Sequence, residues 1–134
     1  QWNLVDNHEL CYHYLGDFDK EMLKTIKSEK NFNKTPVVEI WHNDGDQVLA
    51  YMRGDLLFVF NFSPTRSFTD YGFLVPTGAY SVVLDTDNKA FGGNGLNDDE
   101  MTHLTNYDPV YVNDRKEWLK LYLPARSALV LKKN

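Results

Sequence analysis

Three aromatic side chains, Trp41, Trp118 and Tyr122, are the best candidates for binding chemistry in this chain. Indole and phenol rings stack on the apolar C–H faces of sugars, while the sugar hydroxyls bond to nearby polar groups. In extended strands, Trp41 would share a face with Glu39, and Trp118 would share one with Lys120 and Tyr122. These rings are therefore predicted to point outward, where they either bind a sugar or pack against another domain.

An acidic stretch from Asp85 to Ala90 begins like a calcium-binding loop, with oxygen-bearing side chains at alternating positions. Such a loop needs further ligands and a glycine for its sharp bend, but its late positions carry Lys89 and Ala90. An ordinary polar turn is therefore predicted. The acidic run at residues 98–100 is predicted to be a solvated loop, and no metal site is expected.

No catalytic motif is evident in the sequence. The four histidines, His8, His13, His42 and His103, match no zinc spacing and are expected to have surface or structural roles. There is no nucleophile elbow, phosphate-binding loop or paired Cys/His site, so neither a catalytic residue nor a cofactor is assigned. A pair of glycosidase carboxylates brought together only by the fold stays open. The glycine-rich loop at residues 91–95 is expected to be flexible and to pass close to neighbouring backbone.

Composition narrows the class of protein. A chain of 134 residues, 43% of them apolar, can form one core without disulfides or metals. A net charge of −5 argues against binding of nucleic acid or of an anionic membrane, and no apolar run is long enough to span a bilayer. A single cysteine, Cys11, favours a reducing, cytoplasmic location. The chain starts at Gln1 without a methionine, which suggests a piece of a longer protein.

The hydrophobic pattern predicts two regions. The first is a helical segment at residues 1–35, with helical periodicity from Asp6 to about Lys30, and Asp17 is a reasonable helix N-cap. Residues 36–134 alternate like strands and turns. The apolar helix face consists of Leu15, Phe18, Met22 and Ile26, which either folds back on the strands or stays exposed. The predicted strands are 37–42, 48–53, 56–62, 67–75, 80–85, 101–105, 118–123 and 127–132.

Turn residues organise these strands. Asp44-Gly45 predicts a hairpin with positive φ angles, and Gly54-Asp55 predicts the next turn of an antiparallel meander. The chain also turns at residues 124–126, between the last two strands. The predicted fold is therefore mainly β, an antiparallel β-sandwich of about seven to eight strands preceded by a helical segment.

Several blocks of sequence carry a family resemblance. Residues 55–71 contain Leu-Phe-Val-Phe-Asn-Phe-Ser-Pro-Thr followed by Ser-Phe-Thr-Asp-Tyr, and residues 82–93 contain Val-Val-Leu-Asp-Thr-Asp followed by Phe-Gly-Gly. Residues 121–128, Leu-Tyr-Leu-Pro-Ala-Arg-Ser-Ala, resemble the family's last hairpin. Together these blocks resemble the C-terminal region of 1,4-α-glucan (glycogen) branching enzymes of the α-amylase superfamily.

The resemblance implies a parent enzyme that cuts an α-1,4 linkage and transfers the freed glucan segment to a 6-hydroxyl by a retaining mechanism. Its catalytic residues would belong to a (β/α)8 barrel upstream of Gln1, so this chain alone is expected to be inactive. The resemblance implies that residues 1–35 are the end of the barrel and that residues 36–134 support it. Alternatives are a glucan-binding module, with Trp41, Trp118 or Tyr122 touching glucan, or the C-terminal domain of another superfamily member.

Overall fold

A computed structural model describes residues 20–21, 23–29, 35–107 and 116–134. Its strands are antiparallel and form two sheets, which confirms the predicted mainly-β sandwich. The described strands are β1 (Val37–Asn43), β2 (Val48–Arg53), β3 (Leu56–Asn61), β4 (Phe68–Phe73), β5 (Ala79–Asp85), β6 (Thr102–Leu104), β7 (Asn106–Tyr107), β8 (Glu117–Leu123) and β9 (Ser127–Lys133). A 3-10 helix spans Lys89–Phe91.

Counted over the described residues, the first sheet has six strands in the order β1-β2-β3-β9-β5-β6, and the second has three in the order β4-β8-β7. The main core lies between the two sheets, because alternate residues of both face inward. Leu119, Leu121 and Leu123 are buried on β8, whereas Lys120 between them is exposed, as the alternating pattern predicts. Strand β3 carries apolar residues on both faces and is buried along most of its length.

A second, smaller cluster lies on the outer face of the six-stranded sheet. It consists of Leu56, Phe58, Leu84 and Val130, whose inward-facing neighbours belong to the main core. Tyr51 stacks on Phe58 with ring centroids 4.9 Å apart, and Phe60 packs beside them. We call the four buried residues, Leu56, Phe58, Leu84 and Val130, the outer cluster.

A helical segment covers part of the outer face. Residues 20–21 and 23–28 are helical, and Glu29 Oε2 lies 3.1 Å from Lys132 Nζ on β9. Because Lys132 follows Val130 on the same strand face, this ion pair brings the end of the segment to the outer cluster. The segment therefore folds back on the sandwich, although Leu23 stays 56% exposed. Asp17, Leu15, Phe18 and the Met22 side chain lie outside the described residues.

Local geometry corrects three details of the predicted connections. The first hairpin forms, but the positive φ falls at Gln47 (60°) rather than at Gly45. The β2–β3 turn is as predicted, with Gly54 at a φ of 62°. The turn at residues 124–126 is not a hairpin, because β8 and β9 belong to different sheets and the chain crosses from one to the other there. Strand β7, two residues long, was not predicted.

Candidate functional site

A β-bulge decides where Trp41 points. Glu39 pairs with Tyr51, but Trp41 pairs with Ala50, so Ile40 is an extra residue that shifts the register. Directly paired residues share a face, and Ala50 faces the main core while Tyr51 faces outward. The prediction that Trp41 shares a face with Glu39 is therefore wrong: Glu39 lies on the outer face and Trp41 lies at the edge of the inner one.

This position places Trp41 beside the second sheet. Trp41 Nε1 donates a 2.9 Å hydrogen bond to the Tyr71 hydroxyl oxygen, and that hydroxyl donates a 2.8 Å hydrogen bond to Asp46 Oδ2. Trp41 comes from β1, Asp46 from the β1–β2 turn and Tyr71 from β4. The indole ring is thus held at the open edge between the sheets while 45% of Trp41 remains exposed.

An arginine from the loop between β3 and β4 completes this surface. Arg66 Nη2 lies 3.2 Å from Asp46 Oδ1 and donates a 2.8 Å hydrogen bond to the Gly45 carbonyl oxygen. Its guanidinium also lies over the Phe68 ring, 5.0 Å from the centroid. We call Trp41, Asp46, Arg66, Phe68 and Tyr71 the Trp41 surface.

The electrostatics of the Trp41 surface keep the Tyr71 hydroxyl protonated. Burial raises the pKa of Tyr71, and the hydrogen bond to Asp46 and its negative charge act in the same direction. The hydrogen bond from Trp41 and the charge of Arg66 oppose this shift. A neutral hydroxyl can both accept from the indole and donate to the carboxylate, so the chain of hydrogen bonds persists at physiological pH.

Asn61 fixes the loop that carries Arg66. Its Nδ2 donates to the carbonyl oxygens of Arg66 (2.9 Å), Leu123 (3.2 Å) and Pro124 (3.1 Å), and its Oδ1 accepts from the Ser63 amide at 3.0 Å. Asn61 is 1% exposed. This one side chain therefore joins the β3–β4 loop to the crossing between β8 and β9. The sequence signal for this role is that Asn61 is the one polar residue in the apolar run from Leu56 to Phe62.

The other two predicted aromatics lie on the second sheet. Trp118 and Tyr122 share the outer face of β8 with Lys120, as predicted, and Trp118 Cε3 lies near Gly72 of β4. A groove of about 330 Å³ runs beside Trp118 and also contains Tyr107 and His103. The structure therefore does not bring the three predicted residues into one site, because Trp41 lies at the sandwich edge with Tyr71.

The glycine loop is organised by Asp87. Its carboxylate accepts hydrogen bonds from the backbone amides of Asn94 (3.2 Å), Leu96 (2.6 Å) and Asn97 (3.3 Å). Residues 85–90 form a polar turn, as predicted, and these bonds close the following residues 91–97 over it, with Gly93 packed directly against the Asp87 backbone. Close backbone approach is thus confirmed. The prediction of a solvated acidic run fails at Asp99, because its Oδ1 is buried.

The remaining titratable groups of the described residues show no catalytic arrangement. His42 Nδ1 lies 3.2 Å from Glu39 Oε1 on the surface. Burial lowers the pKa of His103, and the charges of Asp98 and Asp99 act against that shift. Within residues 20–21, 23–29, 35–107 and 116–134, no three His, Cys, Asp or Glu side chains cluster as a metal site would require. His8, His13 and Cys11 lie outside that part of the chain.

In the part of the chain that the structure describes, no helix has the length and apolar character needed to cross a bilayer.

Comparison with known proteins identifies the family. Residues 40–134 match the model of the alpha amylase C-terminal all-beta domain. The chain is 44% identical to a 1,4-alpha-glucan-branching enzyme of Emericella nidulans over 98% of its length, and 38% identical to one of Saccharomyces cerevisiae, also over 98%. It is 39% identical to that of Dictyostelium discoideum over 99%. These matches cover 19%, 18% and 20% of the three relatives, so the chain spans about a fifth of their length.

The predicted resemblance to branching enzymes is therefore confirmed. Since the family model covers most of the chain and all of its described strands except the first residues of β1, this protein belongs to the family of alpha-amylase C-terminal all-beta domains.

Proposed function

We propose that this chain is the non-catalytic C-terminal domain of a 1,4-α-glucan branching enzyme and that it supports the catalytic barrel. The proposed parent enzyme transfers α-1,4-glucan segments to 6-hydroxyls and so makes the α-1,6 branches of glycogen. The names of the relatives, and the small share of each that this chain matches, support this proposal. The chain alone would not branch glucan, and a glucan assay of the isolated 134 residues tests this directly.

The observation that carries the structural role is the exposed apolar margin of the outer cluster. The four members of the cluster are each at most 4% exposed, so a partner domain would cover the apolar side chains beside them that stay exposed. Phe62 continues this face by stacking on Phe60, with centroids 5.5 Å apart, yet Phe62 is 59% exposed. Val37 at the sheet edge is 55% exposed. We infer that the barrel of the parent enzyme, of which residues 1–35 would be the end, covers Phe62 and Val37.

The test uses the full-length protein that contains this chain. Phe62→Asp should lower the temperature at which branching activity is lost, because it places a charge in the proposed interface. Leu96→Asp is the matched control, since Leu96 is 58% exposed in the glycine loop. Equal loss of heat resistance in both variants, or none in either, would contradict this interface.

A second role, binding of glucan chains, is favoured by the Trp41 surface. The indole ring is exposed, its orientation is fixed by Tyr71, and charged groups that can bond to hydroxyls lie beside it. Prepositioned rings of this kind bind sugars with little loss of conformational freedom. Trp118 and Tyr122 form a separate candidate contact beside the groove of β8.

Migration in native gels that contain glycogen distinguishes the two roles. If the Trp41 surface binds glucan, glycogen retards the wild-type chain and Trp41→Ala restores its mobility, while Trp118→Ala and Tyr122→Ala report on the second contact. Phe62→Ala is the control for loss of an exposed aromatic ring on another face. Wild-type mobility that glycogen leaves unchanged would favour the structural role alone.

The proposed location is the cytoplasm, and the proposed partners are α-glucan chains and the barrel of the same enzyme. The single cysteine, which leaves no internal disulfide to form, supports a reducing compartment. Cell fractionation with an antibody to this chain tests the location.

A further inference from the structure

Two carboxyl groups face each other beneath the glycine loop. Asp85, at the end of β5, is 2% exposed, and the Asp99 carboxyl lies within its hydrogen-bonding reach. Each group has one occupied oxygen: Asp85 Oδ1 accepts from the Asp87 amide at 2.8 Å, and Asp99 Oδ2 accepts from Asn88 Nδ2 at 2.9 Å. The other two oxygens, Asp85 Oδ2 and Asp99 Oδ1, are buried and have no hydrogen-bond partner among the described residues.

Two ionised carboxylates cannot occupy this position at low cost. Both would be desolvated, both would repel each other, and neither unpaired oxygen would have a donor. One proton bound to the pair reduces the desolvation and removes the repulsion, because only one negative charge remains. It also gives the unpaired oxygens a partner, because a protonated carboxyl donates a hydrogen bond to its ionised neighbour. A cation is less well suited, since the described residues hold no group of three ligating side chains and both oxygens are already closed to water.

We propose that Asp85 and Asp99 share one proton at neutral pH, with Asp85 as the acid that donates from Oδ2 to Asp99 Oδ1. This hydrogen bond joins the two ends of residues 85–99 and holds the glycine loop against β5. The proton comes from solvent and returns to it, so the pair acts as a pH-sensitive latch without any other reactant.

The electrostatics agree with this geometry. Burial raises the pKa of Asp85 to about 8, the hydrogen bond to Asp99 and the charges of Asp99 and Asp87 act in the same direction, and the amide of Asp87 opposes them. Charged or titratable groups also approach from the neighbouring elements. They are Lys20 and Glu21 on the helical segment, Lys89 in the loop, Asp98 and Glu100 beside Asp99, and His103 on β6.

The direction of the pH effect follows from the two states. In the folded chain, burial and Asp99 raise the pKa of Asp85 to about 8, whereas the ordinary pKa of an aspartate in water is 3.8. The unfolded chain therefore binds fewer protons between these values. The stability that the latch contributes is complete below about pH 4 and is lost as the pH rises to about 8.

Carbon-13 NMR of the aspartate carboxyl groups in the full chain tests the proposal directly. We expect one carboxyl resonance that titrates near pH 8, that is absent in Asp85→Asn and that moves toward lower pH in Asp99→Asn, where the amide can donate instead. Asp98→Asn, an exposed neighbour, should leave it in place. A wild-type spectrum in which every carboxyl titrates below about pH 6 would overturn the proposal.

Denaturation in urea gives a second readout. The unfolding midpoint of the wild-type chain should fall relative to that of Asp85→Asn between about pH 5 and about pH 8, because the variant keeps a donor to Asp99 without titrating. Equal pH dependence in the two proteins contradicts the latch. A rise in the wild-type midpoint with millimolar calcium, lost in Asp85→Asn, would also overturn it and assign the pair to a cation.

Discussion

Trp41 Nε1 donates a 2.9 Å hydrogen bond to the hydroxyl oxygen of Tyr71, and this contact joins the edge strand of one sheet to a strand of the other. The bulge at Ile40 makes the contact possible, because it turns Trp41 from the outer face of β1 to the inner one. The exposed indole ring of Trp41 is therefore fixed by the same interaction that closes an edge of the sandwich.

Loss of the Tyr71 hydroxyl should release the Trp41 ring. Tyr71→Phe removes the acceptor of Trp41 and the donor of Asp46 but keeps the ring contacts with Phe68 and Phe73, whose centroids each lie 5.2 Å away. We expect a decrease of about 1 kcal/mol in the free energy of unfolding, measured in urea. Trp41 fluorescence should become more accessible to a soluble quencher.

Tyr107→Phe is the control for this experiment, because Tyr107 is 62% exposed and loses only a hydroxyl. Its unfolding free energy should stay within about 0.5 kcal/mol of wild type. Equal stability of Tyr71→Phe and Tyr107→Phe would show that the hydrogen bonds of the Tyr71 hydroxyl contribute nothing measurable to the stability of the fold.

Asn61 should be far less tolerant of substitution. Asn61→Asp preserves the shape of the side chain but replaces the Nδ2 donor, so an acceptor would face the carbonyl oxygens of Arg66, Leu123 and Pro124. We expect a loss of about 3 kcal/mol in the free energy of unfolding, measured by chemical denaturation.

The exposed Asn106 supplies the comparison, since it donates only to the Leu104 carbonyl oxygen at 3.1 Å. Asn106→Asp should change stability by about 0.5 kcal/mol or less. If Asn61→Asp is as mild as Asn106→Asp, then the two connections that Asn61 joins are held by other contacts.

The sequence predicted the strands well because their signals are local. Alternation in β8 and the glycine at residue 54 act over a few residues, so every described strand except β7 falls within about two residues of its predicted bounds. The resemblance to branching enzymes also predicted the family, which hydrophobic periodicity alone does not show.

The Trp41 surface could not be predicted from the same signals. One extra residue in a strand reverses which face a side chain takes, and the sequence around Ile40 does not mark a bulge. The contacts of Trp41 with Tyr71 and of Asn61 with Pro124 join residues far apart in the chain, so they depend on how the two sheets meet. The Asp85–Asp99 pair was missed because it depends on how the connection between β5 and β6 folds back on the end of β5.

Tyr80 should make stability fall at alkaline pH. Burial raises its pKa to about 12, with the charge of Asp55 acting in the same direction, and its hydroxyl donates to the Pro76 carbonyl oxygen at 2.7 Å. The ordinary pKa of tyrosine is 10.0, so as the pH rises the unfolded chain loses this proton before the folded chain does. The stability that Tyr80 contributes is present below about pH 10 and is lost as the pH rises to about 12.

Thermal unfolding followed by circular dichroism checks this prediction. Between about pH 10 and about pH 12 the midpoint of the wild-type chain should fall more steeply than that of Tyr80→Phe, which has no hydroxyl to ionise. Parallel curves would mean that Tyr80 ionises equally in the folded and unfolded chains.

Gly93 should be the least replaceable residue of the glycine loop. A Cβ atom at this position would lie 2.1 Å from the Asp87 carbonyl oxygen, and backbone atoms cannot move aside as the end of a side chain can. Gly93→Ala would therefore push residues 91–97 away from Asp87 and weaken the hydrogen bonds that its carboxylate accepts from Asn94 and Leu96. We expect a loss of about 3 kcal/mol in the free energy of unfolding, measured in urea, with faster amide exchange at Leu96.

Gly45→Ala is the matched control, because a Cβ atom there would lie 3.3 Å from Asn43 Oδ1, at the end of a side chain that can shift. It should cost about 1 kcal/mol or less and leave amide exchange at Leu96 unchanged. If the two glycine variants are equally stable, the loop can move away from Asp87 at little cost. The hydrogen bonds to Asp87 would then contribute little to holding it in place.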